Sequence, residues 1–170
     1  MDIVHKQKIM TLASGFMKGD LAPEAFYQGL TETITAALGC SRASLWQYTS
    51  ELRGKVVCLD LYDSGDQQHY AGAELSEDDF SPYFEAMRQD GMIIASQARS
   101  HPATSCFNEL YFEPNGIHSL LDVGINVSGV PFGLFCCEQV TFDKNWTTED
   151  VDTLRAVGTL CGMALKKAVG

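Results

Sequence analysis

The sequence of 170 residues is short of positive charge. It has 12 Lys and Arg residues against 22 Asp and Glu residues, which gives a formal net charge of −10 at pH 7. Nucleic acids and anionic membrane surfaces are bound mainly through clustered Lys and Arg side chains. The composition therefore argues against both as the main partner, and we expect no nucleic-acid binding.

Long apolar runs are also missing. No stretch approaches the roughly 20 apolar residues that a membrane-spanning helix needs, so the sequence predicts no membrane span. Residues 1–6, MDIVHK, lack the apolar centre and the small-residue cleavage site of a signal peptide. We therefore expect no signal peptide and a cytoplasmic protein.

Short motifs of common enzymes and metal sites are absent as well. The chain has no Walker loop and no G-x-G-x-x-G, G-x-S-x-G or H-E-x-x-H motif. None of the six cysteines forms a Cys-x-x-Cys pair, and the clustered spacing of a structural zinc site is missing. We interpret them as reduced thiols that pack as small apolar residues, and we expect no metal site and no catalytic residue. The cysteines are Cys40, Cys58, Cys106, Cys136, Cys137 and Cys161.

What is present predicts one domain over residues 1–170 with helices at both ends. Apolar residues recur at helical spacing over residues 3–18, from Pro23 to just before Gly39, and over residues 148–167. A short helix is predicted over residues 81–89, after an acidic loop at 76–79. Residues 97–116 are irregular, apart from one helical turn near 107–111. The predicted strands are 42–48, 55–62, 69–75, 92–96, 119–127 and 132–139.

The last two strands form a predicted hairpin that organises the domain. Leu121, Val123 and Ile125 alternate with polar or small residues, so one apolar set lies on one face of a sheet. Asp122 then lies on the opposite face. Gly129 tolerates the positive φ that tight hairpin loops require. Helices, strands, an irregular segment, a hairpin and a final helix together indicate an α+β fold.

These residues carry a resemblance to a known family. The runs SLLDVGI, GVPFGLFCCE and WTTEDV resemble the C-terminal half of a GAF domain, and PYF followed by GMII fits the same pattern upstream. The chain is most similar to the input GAF domains of bacterial sensor kinases and diguanylate cyclases, over residues 22–167. Gly124 and Lys144-Asn145 depart from that pattern at positions where subgroups differ, so the resemblance specifies neither a ligand nor a cofactor.

The resemblance implies a GAF/PAS-like fold with a central antiparallel sheet of about six strands. The N- and C-terminal helices would pack on one face, and short helices and loops would cover a pocket on the other. It implies a non-catalytic sensory domain that binds an unknown small molecule and relays a signal through its terminal helices. A homodimer through residues 3–18 and 148–167 is also implied, and we expect Phe16 and Gly162 at its interface, because the small residues of the last helix would let another helix approach closely. A kinase or diguanylate cyclase output domain in the same or a partner chain is implied as well.

Six residues are the predicted ligand-binding residues. Aromatic side chains with a few polar groups are the usual lining of small-molecule sites, although for any single aromatic residue plain core packing is the more common role. Asp122 on a largely buried strand needs either a protein partner or a ligand. His118 would lie at the rim, and the absence of an adjacent Cys-His pair argues against bilin attachment. The predicted residues are Trp46, Tyr83, Phe84, Phe107, His118 and Asp122.

Two other functions remain open at this point. Cys136 and Cys137 allow a cysteine-dependent reductase of the kind that acts on free methionine sulfoxide, but adjacent strand residues point to opposite faces. That pair is therefore poorly placed for a local disulfide, and the loop cysteines of that GAF subgroup are missing. The other alternative is a dimerisation module without a physiological ligand.

Overall fold

The computed structural model describes residues 1–169, which form a seven-stranded antiparallel sheet with helices on both faces. The helices are α1 (Ile3–Met17), α2 (Pro23–Leu38), α3 (Glu77–Asp90), α4 (Glu113–Asn115) and α5 (Thr148–Val169). The strands are β1 (Arg42–Tyr48), β2 (Lys55–Asp63), β3 (Gln68–Tyr70), β4 (Glu74–Ser76), β5 (Met92–Ala95), β6 (Ile117–Val127) and β7 (Val130–Val140). A 3-10 turn (Ser105–Phe107) and a π-helical turn (Asn108–Phe112) precede α4.

The sheet has the order β3-β2-β1-β7-β6-β5, and β4 also pairs with β2. The two longest strands, β6 and β7, form a hairpin near its centre. Ser128 and Gly129 both have positive φ, at 53° and 79°, which is the geometry of a two-residue type I′ turn. The α+β architecture and the antiparallel sheet are therefore confirmed.

One face of the sheet packs against α1, α2 and α5. Leu121, Val123 and Ile125 of β6 share this core with Phe135 and Cys137 of β7. The alternation in β6 thus predicted the helix-facing residues correctly. No helix within residues 1–169 is long and apolar enough to cross a membrane.

The other face lies under a layer formed by α3 and residues 105–115, here called the cover. Its core joins Trp46 and Leu134 of the sheet to Phe80, Phe84 and Phe107 of the cover. The sheet is therefore buried on both sides, and the candidate site lies in this second core.

The structure corrects the prediction between β2 and β5. The strand predicted over 69–75 is wrong, because Gly72, at φ 94°, separates two three-residue strands. The acidic stretch 76–79 is not a loop: the Ser76 side chain caps α3, and the acidic residues occupy its first turn, where the helix dipole favours them. Phe80 then departs from helical geometry, with φ −133° and ψ 43°, so the regular part of α3 begins near the predicted start at residue 81.

The small residues of α5 also have a different role from the one predicted. They were expected to let a second helix approach, but Gly158 and Gly162 lie against β6. A Cβ added at Gly162 would be 2.2 Å from the backbone oxygen of Asn126. These glycines therefore set the close approach of α5 to the sheet within the chain.

Replacing Gly162 by Ala should destabilise the protein, because the new Cβ would overlap a backbone oxygen that cannot move freely. We expect a loss of about 1–3 kcal/mol in the free energy of unfolding, measured by chemical denaturation. The matched control is Gly158→Ala, whose Cβ would lie at an ordinary distance of 3.7 Å from the Gly124 oxygen. That variant should be neutral or gain up to about 1 kcal/mol from helix propensity. Equal effects at the two positions would contradict this packing.

Candidate ligand-binding site

Strand pairing brings two acidic residues onto the face of the sheet that the cover buries. Asp122 of β6 and Ser44 of β1 both pair with Cys136 of β7, so these three residues form one row across the sheet. In the next row, Glu138 pairs with Arg42 of β1. Because side chains alternate along a strand, Cys136 and Glu138 share a face that Cys137 does not.

A small cavity, here called the inner chamber, lies over these rows and beneath the cover. Its volume is about 20 Å³, which is enough for roughly one water molecule. Its walls are mainly apolar and aromatic, with two carboxylates. The lining residues are Trp46, Val56, Leu75, Tyr83, Phe107, Tyr111, Leu120, Asp122, Leu134, Cys136 and Glu138.

Asp122 has one oxygen paired and one free. Its side chain belongs to a residue that is only 1% exposed. The Tyr83 hydroxyl donates to Oδ2, whereas Oδ1 has no hydrogen-bond partner among the described residues. Burial raises the pKa of Asp122 to about 7, although hydrogen bonds from Cys136 and Tyr83 favour the ionised form. Asp122 is therefore both anchored and available to a ligand.

Glu138 is equally buried but has a charged neighbour. Arg42 Nε lies 3.2 Å from Oε1 of Glu138, but the N–H is not directed at the oxygen, so the contact is an ion pair without a formed hydrogen bond. Burial raises the pKa of Glu138, and the charge of Arg42 opposes that rise. Arg42 Nη2 also donates to the Tyr111 hydroxyl at 3.3 Å. The Tyr111 hydroxyl and the Cys136 thiol also lie near enough to Glu138 to lower its pKa, but neither of its oxygens accepts a hydrogen bond of good geometry from the described residues.

A second cavity of about 320 Å³, here called the outer cleft, lies next to the inner chamber. The two share Trp46 and Tyr111, so these side chains stand between them. Tyr111 belongs to the π-helical turn Asn108–Phe112, a kind of turn that is frequent at functional sites. The outer cleft is lined by Arg42, Trp46, Cys58, Leu61, Asp63, Tyr70, Ala71, Ala73, Tyr111 and Asn115.

The structure brings together four of the six predicted site residues. Trp46, Tyr83, Phe107 and Asp122 all line the inner chamber. Phe84 is buried beside Tyr83, with ring centroids 5.5 Å apart, and lines neither cavity.

His118 is also outside the two cavities. It is partly exposed, and its Nδ1 lies 3.5 Å from Oδ1 of Asp143. The strand pattern placed it at the mouth of β6, but its side chain is directed at the β7–α5 connection instead. A contact between His118 and a ligand thus finds no support in this geometry.

Sequence reasoning missed Glu138 and Arg42 as site residues. The run from Phe132 to Cys137 is apolar throughout, which hid the alternation of β7. A signal was available: Glu138 lies two residues after Cys136 in a strand, so the two share a face.

Comparison with known proteins places the chain in a family. The model of the GAF domain family matches residues 22–165. The chain belongs to the GAF family. No match was found among curated proteins.

Solved structures share the fold of this GAF domain at low sequence identity. The phycocyanobilin-bound GAF domain from a cyanobacterial phytochrome has a TM-score of 0.80 at 13% identity, covering 99% of this chain and 97% of that one. The blue-light absorbing form of the Thermosynechococcus elongatus PixJ GAF domain has a TM-score of 0.68 at 13% identity, covering 98% and 90%. The GAF domain of an Acinetobacter phosphoenolpyruvate-protein phosphotransferase has a TM-score of 0.71 at 8% identity, covering 99% and 97%.

The inner chamber of this GAF domain does not fit a bilin. The inner chamber of about 20 Å³ is far smaller than the roughly 300–1,000 Å³ of pockets that hold drug-sized ligands. No cysteine is adjacent to a histidine in the sequence, and His118 lines neither cavity. We therefore assign no bilin to this chain.

Replacing Asp122 by Asn should change how stability depends on pH. The pKa of Asp122 is about 7 in the folded GAF domain and about 3.9 in an unfolded chain. The native state therefore binds an extra proton between these values, and the stability from this group is lost as pH rises through about 7. The free energy of unfolding of Asp122→Asn minus that of the wild type should therefore rise by on the order of 4 kcal/mol as the pH increases from about 4 to about 8.

The comparison must be the difference between the two proteins, because His69 also titrates. Its ring contacts Asp60 at 2.9 Å and Glu32 at 2.7 Å. Burial lowers the pKa of His69, but its hydrogen bonds to these carboxylates outweigh that effect and raise it. That contribution also falls as pH rises, and it cancels between wild type and variant. A difference that is independent of pH would contradict the buried, partly unpaired carboxyl of Asp122.

Proposed function

We propose that this GAF domain is a non-catalytic sensory module that binds a small molecule in the inner chamber and outer cleft. The observation that supports the proposal most is the buried Oδ1 of Asp122, which has no hydrogen-bond partner among residues 1–169 and belongs to a residue that lines a cavity. Leaving a carboxylate in this state costs free energy, which a ligand donor would recover. In this proposal the protein works in the cytoplasm of a bacterium.

Relay through the terminal helices is part of the proposal, and β6 offers a physical route. Asp122 lies in the chamber, while its neighbours Leu121 and Val123 pack in the core with α5. The close contact of Gly162 with Asn126 ties α5 to the same strand. A shift of β6 on ligand binding would therefore move α5, and we propose that α5 and α1 pass this change to a kinase or diguanylate cyclase output domain.

The state of the thiols favours a sensor over a reductase. Nucleophilic cysteines are exposed and have lowered pKa values. Here Cys136 and Cys137 are buried, and burial raises the pKa of both well above the usual value. Burial also raises the pKa of Cys58 and Cys161 to about 12. Turnover of methionine sulfoxide with a thiol reductant would contradict the non-catalytic proposal.

Thermal-shift screening against a metabolite and nucleotide library tests for a working pocket. A ligand should stabilise the wild-type protein by RT ln(1 + [L]/Kd). For any hit, Asp122→Asn should weaken binding about ten- to a hundredfold, because a charge-assisted hydrogen bond is lost. Hits whose affinity is unchanged in Asp122→Asn, together with a lower melting temperature of that variant, would make Asp122 a structural anchor. A complete absence of hits would favour a dimerisation module.

A homodimer through α1 and α5 is also proposed, from the apolar surface that these helices expose. Met10 of α1 is 54% exposed and Met163 of α5 is 61% exposed, and both line a groove of about 400 Å³ between the helices. Phe16 and Gly162, two positions that the sequence suggested for the interface, are packed inside the chain. Phe16 stacks on Phe26 at 4.4 Å, and Gly162 contacts β6.

Met163→Glu should therefore give a folded monomer where the wild type is a dimer, because a charge would be buried in an apolar interface. Light scattering after size-exclusion chromatography measures the mass. Leu52→Glu is the matched control: Leu52 is 84% exposed in the turn between β1 and β2, and this variant should remain a dimer. A wild-type monomer at high micromolar concentration would contradict the dimer.

A further inference from the structure

Three carboxylate oxygens at the inner chamber accept no hydrogen bond of good geometry from the residues that the structure describes. They are Oδ1 of Asp122 and both oxygens of Glu138, and both residues are 1% exposed. An alkylammonium group has three N–H donors and no acceptor. We propose that the inner chamber binds the ammonium group of a primary amine, while the apolar body of that amine occupies the outer cleft. The inference rests on the proposed ligand-binding function and names the chemical class of the ligand.

The size of the chamber fits this group. About 20 Å³ corresponds to roughly one water molecule, and an ammonium group has about the same number of heavy atoms and hydrogen-bonding directions. A guanidinium or a quaternary ammonium group is larger than the chamber. The adjoining cleft of about 320 Å³ is at the lower end of volumes that hold small organic molecules. The two volumes together therefore favour a ligand with a small ammonium group attached to a compact apolar part.

The charges favour a cation over a neutral or anionic head. With both acids ionised, Asp122 and Glu138 contribute two negative charges and Arg42 contributes one positive charge, so a net charge of −1 remains. A monovalent cation would bring this buried group to neutrality, which lowers the cost of keeping it ionised. A phosphate or carboxylate head would instead meet two carboxylates at close range. The site therefore discriminates against anionic ligands.

The aromatic walls act in the same direction. Trp46, Tyr83, Phe107 and Tyr111 all line the chamber, and the faces of aromatic rings attract cations electrostatically. Tyr83 also fixes Asp122, because its hydroxyl donates to Oδ2 and leaves Oδ1 as the free acceptor. The result is an apolar enclosure whose free polar atoms are all acceptors.

Tyr111 and Trp46 line both cavities, so a ligand that occupies chamber and cleft together would lie against these two side chains. The hydroxyl of Tyr111 is held by Arg42 through one hydrogen bond of 3.3 Å, which is longer than the usual 2.7–3.2 Å. The competing occupant is a single buried water, which would also supply donors to the free oxygens.

Calorimetric titration with two matched probes tests the proposal. Phenethylamine carries an ammonium group, and 2-phenylethanol carries a neutral hydroxyl on the same body. At about pH 8 the wild type should bind phenethylamine at least about tenfold more tightly than 2-phenylethanol. Asp122→Asn should lose this preference. Asp60→Asn is the control: Asp60 is buried on β2 and contacts Thr31 and His69 outside the chamber, so this variant should keep the preference.

The pH dependence of binding to the wild type is a second readout that needs no variant. Alkylammonium groups titrate near pH 10, so the probe stays charged between about pH 6 and pH 8. The pKa of Asp122 lies near 7, so its carboxyl is mostly protonated at about pH 6 and mostly ionised at about pH 8. Phenethylamine should therefore bind several-fold more tightly at about pH 8 than at about pH 6. The ionisable groups around Asp122 are Tyr48 of β1, Tyr83 of α3, and Cys136 and Glu138 of β7.

The outcomes separate this inference from the proposed function. Equal affinity for the two probes, no binding of phenethylamine, or a crystal structure of the soaked protein with only water in the chamber would overturn the amine assignment. A neutral or anionic metabolite from the library could still bind in the cleft, with an affinity that falls when chamber residues are substituted. The sensory proposal would then stand, and only the ligand class would be wrong. If nothing bound, both would fail.

Discussion

The burial of the sheet on both faces is the constraint from which the rest of the structure follows. In a sheet with one solvated face, the residues alternating with Leu121, Val123 and Ile125 would meet water. Here that second face lies under the cover, so Asp122 and Glu138 are buried away from bulk solvent. Their carboxylates must be neutralised by Arg42, held by Tyr83, shifted in pKa or met by a ligand. The inner chamber is the place where these requirements are only partly satisfied within the chain.

The same constraint connects the chamber to the terminal helices. Because side chains of β6 alternate, each pair of neighbouring residues contributes to both cores. Any change in the charge or hydrogen bonding of Asp122 acts on a strand whose other face supports α5. Gly158 and Gly162 have no side chains that would hold α5 farther from β6. A rigid, close contact of this kind transmits small shifts, since packed interiors are not easily compressed.

Much of this arrangement could be predicted from the sequence, because strict alternation in β6 and the turn at Gly129 are local signals. The division of β6 into a helix-facing set and Asp122 followed from them directly.

The split at Gly72 and the cap at Ser76 could not be assigned so easily, since acidic residues suit both a loop and the first turn of a helix. Glu138 was missed because an apolar run concealed its alternation. The direction of the His118 side chain could not be predicted, because sequence does not fix a side chain at a strand end. The role of Gly162 depends on tertiary packing, which small residues alone do not specify.

Asp122 is a buried carboxyl with one oxygen that lacks a partner among the described residues and lies beside a cavity. A carbon-13 NMR titration of the labelled carboxyl groups, assigned with Asp122→Asn, tests this environment. We expect a pKa of about 7 for Asp122 in the unliganded protein. A pKa near 4, the ordinary value for a solvated or fully paired aspartate, would contradict it.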